Sequence, residues 1–290
     1  MEFLDTMLWV SVLFLVAGAV LPAKGGRYAA ALGWAIFGLR WGLATPGFYF
    51  HEHNIMYTVA CLLAIPATFY AACILVRYGR ASLMALTRAA AICGIFYFPF
   101  AYFDGLSHWL IGVTTEITLA CVNALGYPAV RTAFDIISLH GHLVQIILAC
   151  TAVQSMAIFV GVVFAIRVEP RRQLLAFLAS VPLIYILNLV RNTFVIAAYG
   201  NQWFQIMPDQ IVAWTGEPPA YASFFWAHNV LAETGSLIAL VLISYAVMTL
   251  MPELLDYLMD ILRLAKPENA RRMLAGQEVP AVPLQGTRKA

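Results

Sequence analysis

Seven long apolar runs dominate the chain, near 6–22, 28–45, 55–76, 82–103, 143–166, 173–198 and 223–250. A helix needs about 20 residues to cross the hydrocarbon core of a bilayer. Backbone amides in lipid must be satisfied within the protein, and helices do this locally. The expected fold is therefore an all-α polytopic membrane protein with about seven transmembrane helices. Composition points the same way: 62% of the 290 residues are hydrophobic and 11% charged. Soluble domains carry roughly 25% charged residues, and disorder needs low hydrophobicity with high charge. Both classes are excluded. A net charge of +2 offers nothing to attract a nucleic acid.

The few charges set the expected orientation. Fourteen of the 17 basic residues fall on alternate connections, close beside one (Arg88) or in the tail: Lys24, Arg27, Arg77, Arg80, Arg88, Arg167, Arg171, Arg172, Arg263, Lys266, Arg271, Arg272, Arg288 and Lys289. The opposite connections hold only Arg131, and Arg40 and Arg191 lie within runs. The positive-inside rule then puts the N-terminus outside and the C-terminus in the cytoplasm. Glu2 and Asp5, with no cation before the first run, point to a span rather than a secretory leader. An eighth span at 106–125 would put Arg167, Arg171 and Arg172 outside, so that piece is expected to be an interfacial or re-entrant outer helix. Residues 127–139 read as a short outer strand, which completes a small helix/strand cap.

The organisation expected is one membrane domain over 1–250, a cytoplasmic amphipathic helix over 251–276 and a disordered tail over 277–290. In the helix, Leu254, Leu255, Leu258, Ile261 and Leu262 share one face. Cys61, Cys73, Cys93, Cys121 and Cys150 include no CxxC and no even set in an outer loop, so no disulfide framework is expected. The HxH pairs His51/His53 and His140/His142 read as solvated loop residues; neither a metal nor a cofactor is expected.

Ionisable groups inside spans are costly and mark sites. Cys150 lies 7 residues past Leu143, about 10 Å below the outer helix end, with Gln154 one turn on. Arg191 lies 7 residues before Ala198, also about 10 Å deep, flanked by Asn188 and Asn192. His228 and Asn229 start the last run, 5 residues past Ser223 or about 8 Å deep, and Glu233 follows one turn later. Cys150, Arg191 and His228 thus fall in one outer layer. There, a cation lowers a thiol's pKa, an imidazole can relay the proton, and a permanent guanidinium charge can stabilise an oxyanion. That is the chemistry of nucleophilic acyl transfer. Arg40 is expected to pair with Glu233, or to clamp a substrate carboxylate or lipid phosphate.

Three segments carry a resemblance: ACTAVQSMAIF around Cys150, NLVRNTFVIAAYG around Arg191 and FFWAHNVLAETGSL around His228. They resemble the signature segments of the exosortase/archaeosortase family. The resemblance implies a multi-pass cell-membrane cysteine transpeptidase with an extracytoplasmic site. Its partners would be membrane-anchored proteins with a tripartite C-terminal signal: a short motif of Pro-Gly-Phe type, an apolar helix and a basic end. It implies cleavage through a Cys150 thioester and transfer of the new carboxyl to the amine of a membrane lipid. By the same resemblance, Arg191 would be the activating cation and His228 the third site residue. Two other readings stand beside it. One is an intramembrane cysteine protease that only hydrolyses. The other is a seven-span transporter or receptor built on Arg40, Arg191 and Glu233.

Overall fold

The structure, a computed structural model, describes residues 2–50 and 55–283. It is an all-α polytopic membrane protein carrying one small sheet. The elements are helices α1 (Glu2–Val20), α2 (Ala23–Phe50), α3 (Ile55–Tyr78), α4 (Ala81–Tyr102) and α5 (Asp104–Ala124), then strands β1 (Val130–Ala133), β2 (Ile136–Leu139) and β3 (His142–Gln145). A 3₁₀ turn (Leu148–Thr151) leads into α6 (Val153–Phe164), α7 (Pro170–Leu178), α8 (Val181–Gly200), α9 (Pro208–Thr215) and α10 (Tyr221–Phe224). A π-helical segment (Phe225–Ala232) runs into α11 (Glu233–Leu250), and α12 (Pro252–Ala265) and α13 (Pro267–Leu274) follow. By length and composition, 6 stretches among the described residues can cross a membrane: Phe3–Val20, Ile55–Tyr78, Ala81–Tyr102, Asp104–Ala124, Pro170–Gly200 and Tyr221–Leu250.

That set departs from the expected seven in three places. Helix α2 is longer than 28–45 and is not in it, because Lys24, Arg27 and Arg40 dilute its apolar character. The piece read as interfacial or re-entrant is a continuous helix of 21 residues, apolar enough to cross. The expected span 143–166 is not one helix: it begins in β3, and α6 has only 12 residues. β2 and β3 pair antiparallel with Leu139 opposite His142. The two residues between them, His140 (φ 53) and Gly141 (φ 86), both lie in the left-handed region. A two-residue I′ hairpin turn has this conformation. Ile137, Leu139, Val144 and Ile146 are buried, so the apolar residues that extended the run serve a sheet core. The strand expected at 127–139 is present as β1 and β2.

The chain divides into two compact units. The first contains the described residues of 1–95, 160–173 and 248–290. In it, α1, α2 and α3 pack successively. Gly18 makes room for α2: a Cβ there would lie 2.7 Å from that of Ala30. Small residues at such contacts let membrane helices approach closely. The C-terminal helices cover this packing, with Leu264 and Met273 joining Ile74, Leu75 and Leu83 in one buried cluster. The expected single amphipathic helix is two, because Lys266 takes an extended backbone before Pro267. The buried face differs in part: of the expected stripe, Leu254 and Ile261 are half-buried, with Ile261 against the cluster, and Leu255, Leu258 and Leu262 are exposed, while Asp256, Asp260 and Leu264 are buried.

A buried cation accounts for this turn of the helix. Arg80, 5% exposed, donates to both Asp260 oxygens at 2.9 and 2.6 Å and to the Val279 carbonyl at 2.9 Å. Ser82 Oγ adds a 2.6 Å bond to Asp260, and the Val282 N–H donates to Asp260 at 3.1 Å. The expected disorder from 277 is thus replaced by a segment that docks as far as Val282, with Val279 buried; residues 284–290 lie outside the described residues. Arg172 forms a second fork on Glu253, at 2.9 and 2.7 Å.

Both carboxyls titrate below their ordinary values. Burial pushes Asp260 up, but the bonds from Arg80, Ser82 and Val282 outweigh it; at Glu253 the Arg172 bond dominates. A depressed native pKa stabilises the fold at pH above the ordinary carboxylate range, and that stability is lost as pH falls through the native value. Asp260→Ala leaves the buried Arg80 only the exposed Glu278 carboxylate, 3.8 Å away, as a counter-charge, and is expected to cost about 3–5 kcal/mol near neutral pH. Thermal unfolding in detergent measures it, and the gap from the parent protein should shrink as the pH is lowered.

Candidate functional site

The second unit contains 96–159 and 174–247 and holds most of the predicted site residues. Its core joins Val122 of α5, Ile137 and Leu139 of β2, Val144, Ile146 and Ile196 of α8, with Cys150 packed against them. The sheet reaches the end of α8 because Gly200 has no side chain: a Cβ there would overlap Leu139. His140 Nδ1 donates to the Gly200 carbonyl at 3.2 Å, and the His142 ring lies 4.7 Å from that of Tyr199. Those two histidines therefore pack on α8, and His51 and His53 lie outside the described residues. No group of three metal-ligating side chains occurs among the described residues.

Cys150 is not within a membrane-spanning helix, as its spacing from Leu143 implied. It sits in the 3₁₀ turn, with its N–H bonded to the Ile147 carbonyl at 2.8 Å. The depth counted along a helix from Leu143 does not apply, since Leu143 is in β3. Ala152 then reverses the chain into α6 with φ 58. A left-handed alanine costs about 1–2 kcal/mol, and such strain persists only where the surroundings hold it. Gln154 does not share a helical face with Cys150; its Nε2 donates to Tyr97 Oη at 3.1 Å.

Helix α8 holds the turn. Asn188 and Asn192, one helical turn apart, each donate an Nδ2–H to the Cys150 carbonyl, at 2.7 and 2.9 Å. A carbonyl has two lone pairs, and both are used. The two amides are 9% and 4% exposed, and a buried amide without a partner is costly. Their spacing of four residues puts both on one face of the helix. Arg191 lies beside them and reaches the other side of the site, where its Nη2 is 3.3 Å from His228 Nε2. His228 Nδ1 is 2.7 Å from Asn229 Oδ1, and its ring stacks on Phe224 at 5.0 Å. Helix α8 thus holds both the Cys150 turn, through its carbonyl, and the Arg191–His228 pair.

His228 sits in the π-helical segment of 8 residues. The Glu233 N–H bonds the His228 carbonyl five residues back, the widened turn that often marks functional positions in helices. Beside Arg191 is a cavity of about 740 Å³ between α8 and α11. Ala149 and Ala152 on either side of the Cys150 turn, Asn188 and Arg191, Phe194 and Phe204, and Glu233, Gly235, Ser236 and Ala239 all line it. Phe204 was not singled out in the sequence. It belongs to the loop after α8, which is held by the Phe204 N–H on Ser223 Oγ (3.2 Å) and Ser223 Oγ on the Ala198 carbonyl (2.9 Å).

Arg40 belongs to the first unit. Its guanidinium lies over the Trp41 ring, 4.1 Å from the centroid. Its Nε and Nη1 are buried and without a hydrogen-bond partner among the described residues.

Residues 4–216 match the model of a family described as transmembrane exosortase. Among curated relatives, the chain is 30% identical over 283 residues to archaeosortase A of Haloferax volcanii, covering 89% of this chain and 92% of the relative. It is 29% identical over 279 residues to archaeosortase A of Natronomonas pharaonis, covering 90% and 88%. No solved structure matches.

Proposed function

The chain belongs to the transmembrane exosortase family, and on that premise we propose that it is a membrane-embedded cysteine transpeptidase. Its substrates are membrane-anchored proteins with a C-terminal sorting signal: a Pro-Gly-Phe type motif, an apolar helix and a basic tail. One observation carries this reading. The Cys150 turn and the Arg191–His228 pair are fastened to one stretch of α8, within a single helical turn of each other. A soluble hydrolase assembles nucleophile, imidazole and oxyanion donor on unrelated folds, and this stretch offers the same three roles.

His228 Nε2 takes the Cys150 thiol proton, and the thiolate attacks the scissile carbonyl of the substrate. As Nε2 becomes protonated it can no longer accept from Arg191, so the guanidinium turns to the forming oxyanion. Collapse expels the amine of the C-terminal fragment, which takes the proton from His228, and leaves a Cys150 thioester. A lipid amine then attacks the thioester. A new amide forms, the amine proton returns by way of His228, and the thiol is regenerated. Scarce water around the apolar cavity favours the amine over hydrolysis. Mass spectrometry of the processed product tests this: a lipid amide on the new C-terminus is expected, and a free carboxylate means hydrolysis only.

The basic residues of the α3–α4 turn, the α6–α7 connection and the C-terminal helices belong to the cytoplasmic side, an arrangement that keeps α5, although long enough to cross, on the outer side. The sheet, the C-terminal end of α8 and the site belong to the extracytoplasmic side. The substrate's apolar helix lies in the cavity between α8 and α11, where Gly235 and Ala239 permit close approach. A Cβ on Gly235 would meet nothing within 4 Å, so Gly235→Leu fills the cavity without disturbing α11. We expect this variant to raise KM for the helix-bearing substrate about tenfold, the effect of one mismatched apolar group. A peptide with the motif but no helix should be cut at the parent rate.

A further inference from the structure

Asn229 neighbours the site in sequence and is exposed, yet the hydrogen bonds around His228 give it a defined chemical task. A guanidinium has donors and no acceptor. The 3.3 Å contact between Arg191 Nη2 and His228 Nε2 is therefore a bond that Nε2 accepts. A neutral imidazole has one donor and one acceptor, so the proton is on Nδ1. Nδ1 donates it to Asn229 Oδ1 at 2.7 Å. The opposite placement of the Asn229 amide would aim an N–H at an N–H. Phe224, stacked at an interplanar angle of 14°, holds the ring plane in which both bonds lie. Residues i and i+1 project apart on a regular α-helix; the wider π turn at Phe225–Ala232 lets these two neighbours meet.

We infer that Asn229 is a positioning residue that fixes His228 as the Nδ1–H tautomer and turns its Nε2 lone pair onto Arg191. This rests on the proposed function for its consequence in turnover, and on the hydrogen bonds alone for the tautomer. Acting through His228, one amide sets both where the proton acceptor points and where the guanidinium waits. No bond to substrate is involved, so binding should be spared.

Two measurements on the full-length protein in lipid vesicles test it. The first is turnover of a substrate carrying a Pro-Gly-Phe motif, an apolar helix and a basic tail. Asn229→Ala should lower kcat about 100-fold, the scale of a lost acid–base alignment, with KM within about twofold. Asn229→Asp keeps an acceptor at the same place and should recover most of that loss. A kcat unchanged in Asn229→Ala overturns the inference, as does an equal loss in both variants. The second is ¹⁵N NMR of histidine-labelled protein, with the His228 signal assigned by its absence in His228→Gln. The parent protein should show Nδ1 protonated and Nε2 bare, and Asn229→Ala should lose that preference. A His228 signal with Nε2 protonated in the parent, or one unmoved in Asn229→Ala, overturns it. If the parent protein leaves the substrate uncut, the transpeptidase reading fails, and the NMR result still decides the role of Asn229.

Discussion

Cys150→Ala is expected to abolish processing of a helix-bearing substrate, a loss of more than about 10³-fold, with the protein still folded and in the membrane. Removing the nucleophile of a covalent mechanism leaves only what binding and oxyanion stabilisation achieve. Structure should survive for two reasons. Cys150 is held by its backbone, through the Asn188 and Asn192 amides and its own N–H, none of which the substitution touches. Its side chain is also only partly buried. Cys150→Ser should be nearly as inactive, because a hydroxyl is a far weaker nucleophile than a thiolate at neutral pH. Substrate cleavage by Cys150→Ala at the parent rate, in membranes free of the parent protein, would end the covalent mechanism. The transporter reading predicts instead that transport or ligand binding survives Cys150→Ala.

Arg191→Ala should lower kcat about 10²–10³-fold, the range measured when an oxyanion donor is removed. The same substitution frees the Nε2 lone pair of His228, so the loss measures both the missing charge and the misdirected imidazole. Arg191→Lys tells the two apart. Lysine keeps the charge but not the planar fork. Partial recovery assigns the effect to charge, and no recovery assigns it to geometry. Asn188 and Asn192 lie on the same stretch of α8, so the yield of folded protein must be measured beside the rate. Full turnover in Arg191→Ala would remove the arginine from the mechanism.

How much of this was legible varies by residue. Arg191, Asn188 and Asn192 could be found because polar residues within an apolar run are expensive and few. Their common face follows from helical spacing alone. Cys150 could be singled out too, but its setting could not. Residues 143–166 read as one apolar run because a sheet core and a membrane helix draw on the same side chains. The signal that separates them was short: a His-Gly pair between alternating apolar residues, at 140–141. The π-helical segment around His228 left no mark in periodicity. On α12, the apolar stripe of Leu255, Leu258 and Leu262 was visible, but it turned outward, because the buried Arg80 needed Asp260.

By itself, the sequence determined that this chain spans a membrane, that its basic residues gather on some connections and not others, and which polar residues stand out among the spans. Those properties depend on composition and local spacing, which a linear chain carries in full. Only the tertiary structure decided that Cys150 sits in a strained turn rather than a helix. It also decided that two asparagines hold its carbonyl and that Arg191 meets His228. These arrangements are bonds between residues 37 to 42 positions apart. Such bonds depend on how helices, a sheet and a π-helical segment pack together, and no run of neighbouring residues encodes them.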